Sequence, residues 1–255
     1  MKRSVIKLGG ALLEKDLSPM WEVLPDLQAQ AEVVIVHGGG PQTTAVAERL
    51  GHTPTIVEGR RVTTDVDLDI LNWVIRGELN SRLVTEAGAR GIRAAGVSGA
   101  DGPTLIVNKR PPWVMDGRTV DFGHVGDVDR VDPTLLLTLL QAGILPVVSP
   151  PGVDTAGHRY NVNADTVALE VALAIGASEL LLLTGSGAVW DRDSQPMRRL
   201  DRATAKAGVA EGWIAGGMKV KTDIGFAALD RGLSEVWIAH PASLAQRTNA
   251  TRLVP

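Results

Sequence analysis

Short apolar runs alternate with segments of helical period along most of the chain. Ser4–Leu8 and Glu32–Val36 are mainly apolar stretches that predict strands, and both run into glycines: Gly9-Gly10 after the first, Gly38-Gly39-Gly40 after His37 in the second. Between them Leu17, Met20, Trp21, Leu24 and Leu27 recur at helical spacing, which predicts a helix over Leu17–Gln30. Pro41 suits the first position of a helix over Pro41–Leu50. Further strands are predicted at Ala94–Val97, Thr104–Val107, Leu145–Ser149, Glu179–Thr184 and Glu235–Ala239, with strands or hairpins over Thr119–Val131. Helices are predicted at Pro133–Ala142, Ala164–Ile175 and Gly217–Asp230, with a short one at Ser243–Thr248. The strand, helix, strand rhythm predicts an α/β fold: an αβα sandwich with a mainly parallel central sheet, in two lobes.

Asp65–Leu83 reads as a long helix with two apolar stripes. One holds Val66, Ile70 and Trp73/Val74, the other Leu68, Leu71, Ile75 and Leu79. Two stripes mean either a helix buried on both sides or a face that meets a second copy of the chain.

Composition narrows the chemistry. The 255 residues carry a net charge of −3, which does not suit a nucleic-acid-binding surface. Charged residues at 22% and hydrophobic ones at 44% exclude global disorder. With no cysteine, a disulfide framework, a thiolate-ligated metal and a thiol nucleophile are all excluded. Lys7 interrupts the first apolar run too early for a secretory signal. Pro133–Val153 is free of charge, but Gly143, Pro146, Pro150 and Pro151 make it helix, turn and strand rather than a membrane span. The Asn249-Ala250-Thr251 sequon is read as chance.

The strongest local signal is Val33–Val36 followed by His37-Gly38-Gly39-Gly40-Pro41. Glycines between a strand end and a helix start let backbone N–H groups approach an anion, and the helix terminus adds partial positive charge. Neither a G-x-x-x-x-G-K-[ST] nor a G-x-G-x-x-G pattern is present, and the five histidines lack ligand spacing and are read as structural. Lys7 stands at a strand's C-terminal end, where ligands of open α/β sheets collect. Lys221 follows Gly216-Gly217-Met218 at a predicted helix start, and Asn161-Val162-Asn163-Ala164-Asp165 precedes another, with Asn163 as its cap.

Taken together, Lys7-Leu8-Gly9-Gly10, His37-Gly38-Gly39-Gly40-Pro41-Gln42, Gly59-Arg60-Arg61-Val62-Thr63, Gly123-His124-Val125-Gly126, Asn161–Asp165 and Gly216–Lys221 resemble the N-acetylglutamate kinases of the amino acid kinase family, in order and over essentially the whole chain. The resemblance implies transfer of the γ-phosphoryl of ATP, with Mg²⁺, to the side-chain carboxylate of N-acetyl-L-glutamate, a step of arginine biosynthesis. A carboxylate is already ionised at neutral pH, so positioning and charge neutralisation are the work required, not a general base.

By the same resemblance Lys7 and Lys221 neutralise the phosphoryl group in flight and Asp165 orients them. Gly10, Gly39 and Gly40 donate from the backbone, Arg61 pairs with the substrate α-carboxylate, and Asn161 contacts the α-carbon substituents. Thr184, Gly185, Gly187, Gly216 and Gly217 fall on the phosphate and nucleotide side, and no protein ligand for Mg²⁺ is implied. One amino acid kinase domain spans 1–255, with an amino-acid lobe at 1–175 and a nucleotide lobe at 176–255. The enzyme is expected to be a cytoplasmic homodimer with no nucleic-acid or membrane partner. A related branch that phosphorylates aminoadipate or glutamate on a carrier protein shares several elements but differs near Arg61 and at His124-Val125-Gly126.

One departure is visible. The family pattern Thr/Ser-Asp-Val-x-Gly is replaced by Thr184-Gly185-Ser186-Gly187-Ala188, which implies altered adenine or ribose contacts. Arginine-inhibited hexamers of the family use a helix ahead of the first strand. Only Met1-Lys2-Arg3 precede Ser4 here, so neither a hexamer nor strong arginine inhibition is expected.

Overall fold

Alternate residues of the central strands feed opposite cores. Val5, Val34, Val36, Leu180, Leu182, Val236 and Ile238 enter one apolar cluster, while Ile6, Leu8, Val33, Ile35, Leu181 and Leu183 enter the other. Strands covered on both faces have no polar side to present, which is why these segments are near-continuous apolar runs.

The computed structural model describes every residue except Met1, Glu58, Asp116 and Ala245. Among the described residues an eight-stranded sheet runs Arg199–Leu200, Thr251–Leu253, Glu235–Ala239, Glu179–Leu183, Lys2–Leu8, Ala31–His37, Leu145–Ser149, Ala94–Ser98. Its pairings are parallel except where Thr251–Leu253 runs against Glu235–Ala239. Helices Thr134–Gln141, Ala164–Ala174, Arg202–Glu211 and Gly216–Asp230 supply the first core. Ser18–Gln28 and the long helical segment from Asp65 to Gly88 supply the second. The expected αβα sandwich with a mainly parallel sheet is therefore the fold.

Lys2–Leu8 is the hinge of the topology. It pairs with Ala31–His37 on one side and with the much later Glu179–Leu183 on the other, Lys7 lying opposite both Val36 and Leu182. The direction of winding reverses there, and in open α/β sheets the carboxyl ends of strands at such a point form the binding crevice. The sheet is also continuous across residue 175, because Ser4 to Leu8 register directly with Glu179 to Leu183.

Several expectations need correction. The predicted helix at Ser243–Thr248 is instead a 3₁₀ turn at Pro241–Ser243 followed by turns, with Ala245 outside the described residues. Met1 is likewise outside them, and the first strand begins at Lys2. Helix Arg202–Glu211 was not anticipated, since its alanine-rich sequence carries no apolar stripe. Its ends were nonetheless marked: the Asp201 carboxylate accepts from the Thr204 N–H, and Gly212 closes it at φ 85°.

The Asp65–Leu83 helix is real but continues to Gly88, and Asn72–Leu79 is wound as π-helix. Its two expected stripes do not face opposite ways. Ile70 and Val74 are buried beside Leu71, Ile75 and Leu79, and of the residues in both stripes only Val66 and Trp73 are exposed, at 52% and 62%. Adjacent i and i+1 positions widen one buried face, and the π turn shifts the helical phase further.

Candidate active site

A cavity of about 260 Å³ opens at the carboxyl ends of Lys2–Leu8, Ala31–His37 and Leu145–Ser149. Lys7, Gly10, Gly39, Gly40, Arg61, Asn161 and Asp165 all line it. Residues far apart in the chain thus meet at the topological switch.

The Lys7 Nζ donates to Asp165 Oδ2 at 2.7 Å, and both residues are buried. Lys221 approaches the other oxygen, Oδ1, at 4.0 Å. Asp165 stands in the first turn of Ala164–Ala174, whose start is fixed by the Asn163 side chain accepting from the Asp165 and Thr166 N–H groups at 2.8 and 3.3 Å. The expected cap is therefore present. Burial, joined by the like charge of Lys221, pulls the Lys7 ammonium below its ordinary pKa, while the Asp165 carboxylate opposes that shift.

The two glycine turns interlock. The Gly38 N–H donates to the Leu8 carbonyl at 3.0 Å, and Gln42 Nε2 donates to the Gly10 carbonyl at 2.8 Å. A Cβ on Gly10 would lie 2.7 Å from Pro41 Cδ, so the close approach requires glycine there. Helix Gly40–Arg49 starts in this turn, with Pro41 second rather than first, and has no side-chain cap. Its leading N–H groups remain for an anion. His37, expected to be structural, is fully buried beneath the turn: its Nδ1 bonds the Gly38 carbonyl at 2.9 Å, and Asn80 Nδ2 bonds its Nε2 at 3.0 Å. Burial pushes the ring pKa down to about 4, against the opposing pull of the Gly38 carbonyl. The ring is thus a neutral strut with its proton on Nδ1.

Three extended segments close the other side. The Thr63 N–H donates to the Phe122 carbonyl at 2.9 Å, and the Asn161 N–H to the His124 carbonyl at 2.8 Å. Gly123 has φ 67°, and a Cβ there would sit 2.3 Å from the Thr63 carbonyl oxygen, so this crossing admits only glycine. Asn161 Nδ2 donates to Thr63 Oγ1 at 3.1 Å. Arg61 lies in the hairpin formed by Thr55–Val57 and Arg60–Val62. It donates from Nη2 to Thr44 Oγ1 at 2.6 Å and from Nη1 to the buried Asp67 at 3.5 Å. Burial works to raise the Asp67 pKa, but the Thr64 hydroxyl and N–H and the His52 ring together hold it below the ordinary value. A fixed carboxylate therefore steadies the guanidinium.

Thr184, Gly185 and Gly187 form the turn after Glu179–Leu183, and Gly216 and Gly217 open helix Gly216–Asp230. None of these five lines the cavity around Lys7. Thr184, Gly185 and Gly187 share its sheet edge, because Leu183 registers with Leu8; Gly216 and Gly217 begin the helix that carries Lys221 to Asp165. Gly187 carries φ 76° and Ala188 is buried, so the left-handed position falls one residue ahead of the family glycine. Sequence reading passed over Arg60, Arg110 and Thr43, which also line the cavity. The Arg60-Arg61 pair was visible, but nothing in the spacing marks Arg110. Among the described residues no group of three or more His, Cys, Asp or Glu side chains could hold a metal ion, and no helix is long and apolar enough to cross a membrane.

Fold and site together define an α/β protein with two lysines facing one carboxylate beside a glycine turn at the topological switch. The amino acid kinase family model matches residues 2–240, and the chain belongs to that family. It is 40% identical over 246 residues to the acetylglutamate kinase of Methanopyrus kandleri, spanning 95% of this chain and 96% of that one. To the acetylglutamate kinase of Sorangium cellulosum it is 38% identical over 273 residues, spanning 98% and 94%. Among solved structures, N-acetylglutamate synthase from Neisseria gonorrhoeae, complexed with coenzyme A and N-acetyl-glutamate, superposes with a TM-score of 0.83 at 25% identity, over 100% of this chain and 59% of that one. Carbamate kinase from Giardia lamblia bound to AMP-PNP shares the fold, with a TM-score of 0.69 at 15% identity over 99% and 98%.

Proposed function

We propose that this protein is an acetylglutamate kinase, transferring the γ-phosphoryl of ATP to the side-chain carboxylate of N-acetyl-L-glutamate and forming an acyl phosphate for arginine biosynthesis. The observation that carries the reading is a single cavity lined at once by the Lys7–Asp165 pair, the glycine turn and Arg61. Full-length similarity to acetylglutamate kinases supports it. ATP, bound with Mg²⁺ on its phosphates, supplies the electrophilic phosphorus. One feature fits a phosphate chain: Gly40 leaves open space where a side chain would stand. Asp165 Oδ1, buried without a hydrogen-bond partner among the described residues, is an acceptor that suits the Lys221 ammonium 4.0 Å away.

In this reading Lys7 and Lys221 neutralise the oxygens between two approaching anions, and Asp165 sets their separation. Gly10, Gly39 and Gly40 keep the backbone low enough for N–H groups to reach the transferred group and the substrate. Asn161 contacts the substituents on the α-carbon. Residues 1–175 carry the amino-acid substrate, while 176–255, with Thr184, Gly185, Gly187, Gly216 and Gly217, carry the nucleotide. ADP release dependent on N-acetyl-L-glutamate, with hydroxylamine trapping of the acyl phosphate, tests the assignment. Absence of both products would overturn it.

Arg61 takes the α-carboxylate. Among the described residues no acceptor takes its Nε–H, so one edge of the guanidinium fork is available. Arg61→Ala is expected to raise KM for N-acetyl-L-glutamate on the order of 10–100-fold, the value of a charge-assisted hydrogen bond, with a smaller change in kcat. An unchanged KM would show that the α-carboxylate is held elsewhere.

A homodimer built on the long helix belongs to the same proposal. Trp73 and Val66 stand two turns apart and are both exposed, where a second copy would cover them. Light scattering at micromolar concentration is expected to give twice the mass of the chain, and Trp73→Asp to give the monomer. A monomeric wild type would refute the dimer.

A further inference from the structure

Four cationic side chains, Lys7, Arg60, Arg61 and Arg110, line the cavity, and among the described residues Asp165 is the one carboxylate lining it. The proposed reaction uses Lys7 for the phosphoryl group and Arg61 for the α-carboxylate. The acetyl arm offers a guanidinium one carbonyl oxygen but no charge to match those of Arg60 and Arg110. Both guanidinia nevertheless lie over the Trp113 ring, 4.9 and 4.8 Å from its centroid. Trp113 is itself anchored edge-on against the buried Phe122 at 5.4 Å. Arg110 is buried and tied to Asp127, Nη2 to Oδ1 at 2.6 Å and Nε to Oδ1 and Oδ2 at 3.0 and 3.3 Å, so its charge is met within the protein.

Arg60 has no carboxylate within ion-pair distance among the described residues. Partial burial and the neighbouring Arg110 charge weigh against its protonated form, and the Asp127 carboxylate, already bonded to Arg110, opposes them from beyond ion-pair distance. A guanidinium resting on an indole keeps its N–H edge free while losing little further entropy on binding. The arrangement therefore carries one positive charge in excess, held in place at the cavity.

We propose that Arg60, with Arg110 and Trp113, forms a second anion subsite that receives one carboxylate borne on the N-acyl arm of the substrate. The class of ligand is an N-acyl-L-glutamate whose acyl group ends in a carboxylate. The inference rests on the N-acylglutamate reading above, deepens it at the acyl end, and can be tested separately from it.

The probes are N-acetyl-L-glutamate and N-succinyl-L-glutamate, measured for direct calorimetric binding to the full chain and for ADP release. The wild type is expected to bind the succinyl compound about tenfold or more tightly than the acetyl one, the value of one charge-assisted contact. Arg60→Leu should reduce that ratio at least about tenfold, and Arg60→Lys, which keeps the charge but not the planar stacking, should retain part of it. Equal binding of the two compounds by the wild type, an unchanged ratio in Arg60→Leu, or no binding of either compound would overturn the subsite. Turnover of N-acetyl-L-glutamate without any succinyl preference would sink the subsite and leave the proposed function standing. An Arg60-dependent preference without turnover of either compound would support the subsite and sink the proposed function.

Discussion

Lys7→Ala is expected to lower kcat on the order of 10²–10³-fold, the loss seen when one preorganised donor to a developing oxyanion is removed, with a much smaller rise in KM for N-acetyl-L-glutamate. Lys7 is nearly inaccessible, 4% exposed, and its ammonium is fixed by Asp165 at 2.7 Å. A charge held this way is in position before the phosphoryl group moves, so its value is greatest in the transition state. Lys221→Ala should act in the same sense, since Lys221 faces the second oxygen of the same carboxylate at 4.0 Å. Steady-state kinetics separate the two parameters, and a thermal unfolding scan checks that Asp165, still facing Lys221, has not destabilised the Lys7 variant. A near-normal kcat in either folded variant would remove that lysine from catalysis.

The second large effect is on stability at acid pH. The buried His37 ring takes up a proton near pH 4 in the folded chain, against about 6.5 for an exposed imidazole. Between those values the unfolded chain binds more protons than the folded one, so stability falls as the pH falls. Full stabilisation from this group is present above the unfolded value, and roughly 3 kcal/mol of it is lost once the pH is below about 4, about 2 kcal/mol of that by pH 5. His37→Asn keeps a donor for the Gly38 carbonyl but cannot titrate. It should start less stable at pH 7, because the Asn80 contact is gone. Its further loss between pH 7 and pH 5 should be smaller than that of the wild type by about 2 kcal/mol. Urea unfolding at the two pH values measures the difference, and parallel losses would show that His37 is not the group responsible. Protonation keeps the Nδ1–H bond to the Gly38 carbonyl but sets a second donor at Nε2 against the Asn80 amide, so the loss falls on the contact between this strand and the long helix.

How much was legible in advance follows from which interactions are local. Leu145–Ser149 and Glu179–Leu183 were readable almost to the residue, because strands buried on both faces leave unbroken apolar runs; Ala94–Ser98 and Glu235–Ala239, less fully buried, were still marked by short apolar stretches between turns. The glycine turns, the Asn163 cap and Lys7 at a strand end were equally plain, since each is set by neighbours in the chain. The Ser243–Thr248 helix failed and Arg202–Glu211 was missed because neither depends on an apolar stripe.

Motif resemblance named Lys7, Arg61, Asn161 and Asp165, but the sequence alone could not set the distances among them. Those are fixed by parallel register, which lays Lys7 between Val36 and Leu182 and brings residue 165 to residue 7. The face of Trp73 was likewise undecided until the π-wound turn and the packing of Ile70 and Val74 left it exposed. Arg110 carried no sequence signal, because its role arises only where the Leu105–Lys109 and Gly126–Val131 strands set it beside Asp127 and over Trp113. Chain order thus determined the elements, their caps and the identity of the charged groups. Long-range strand pairing and burial decided which of those groups meet, which are desolvated, and which keep an open edge toward a ligand.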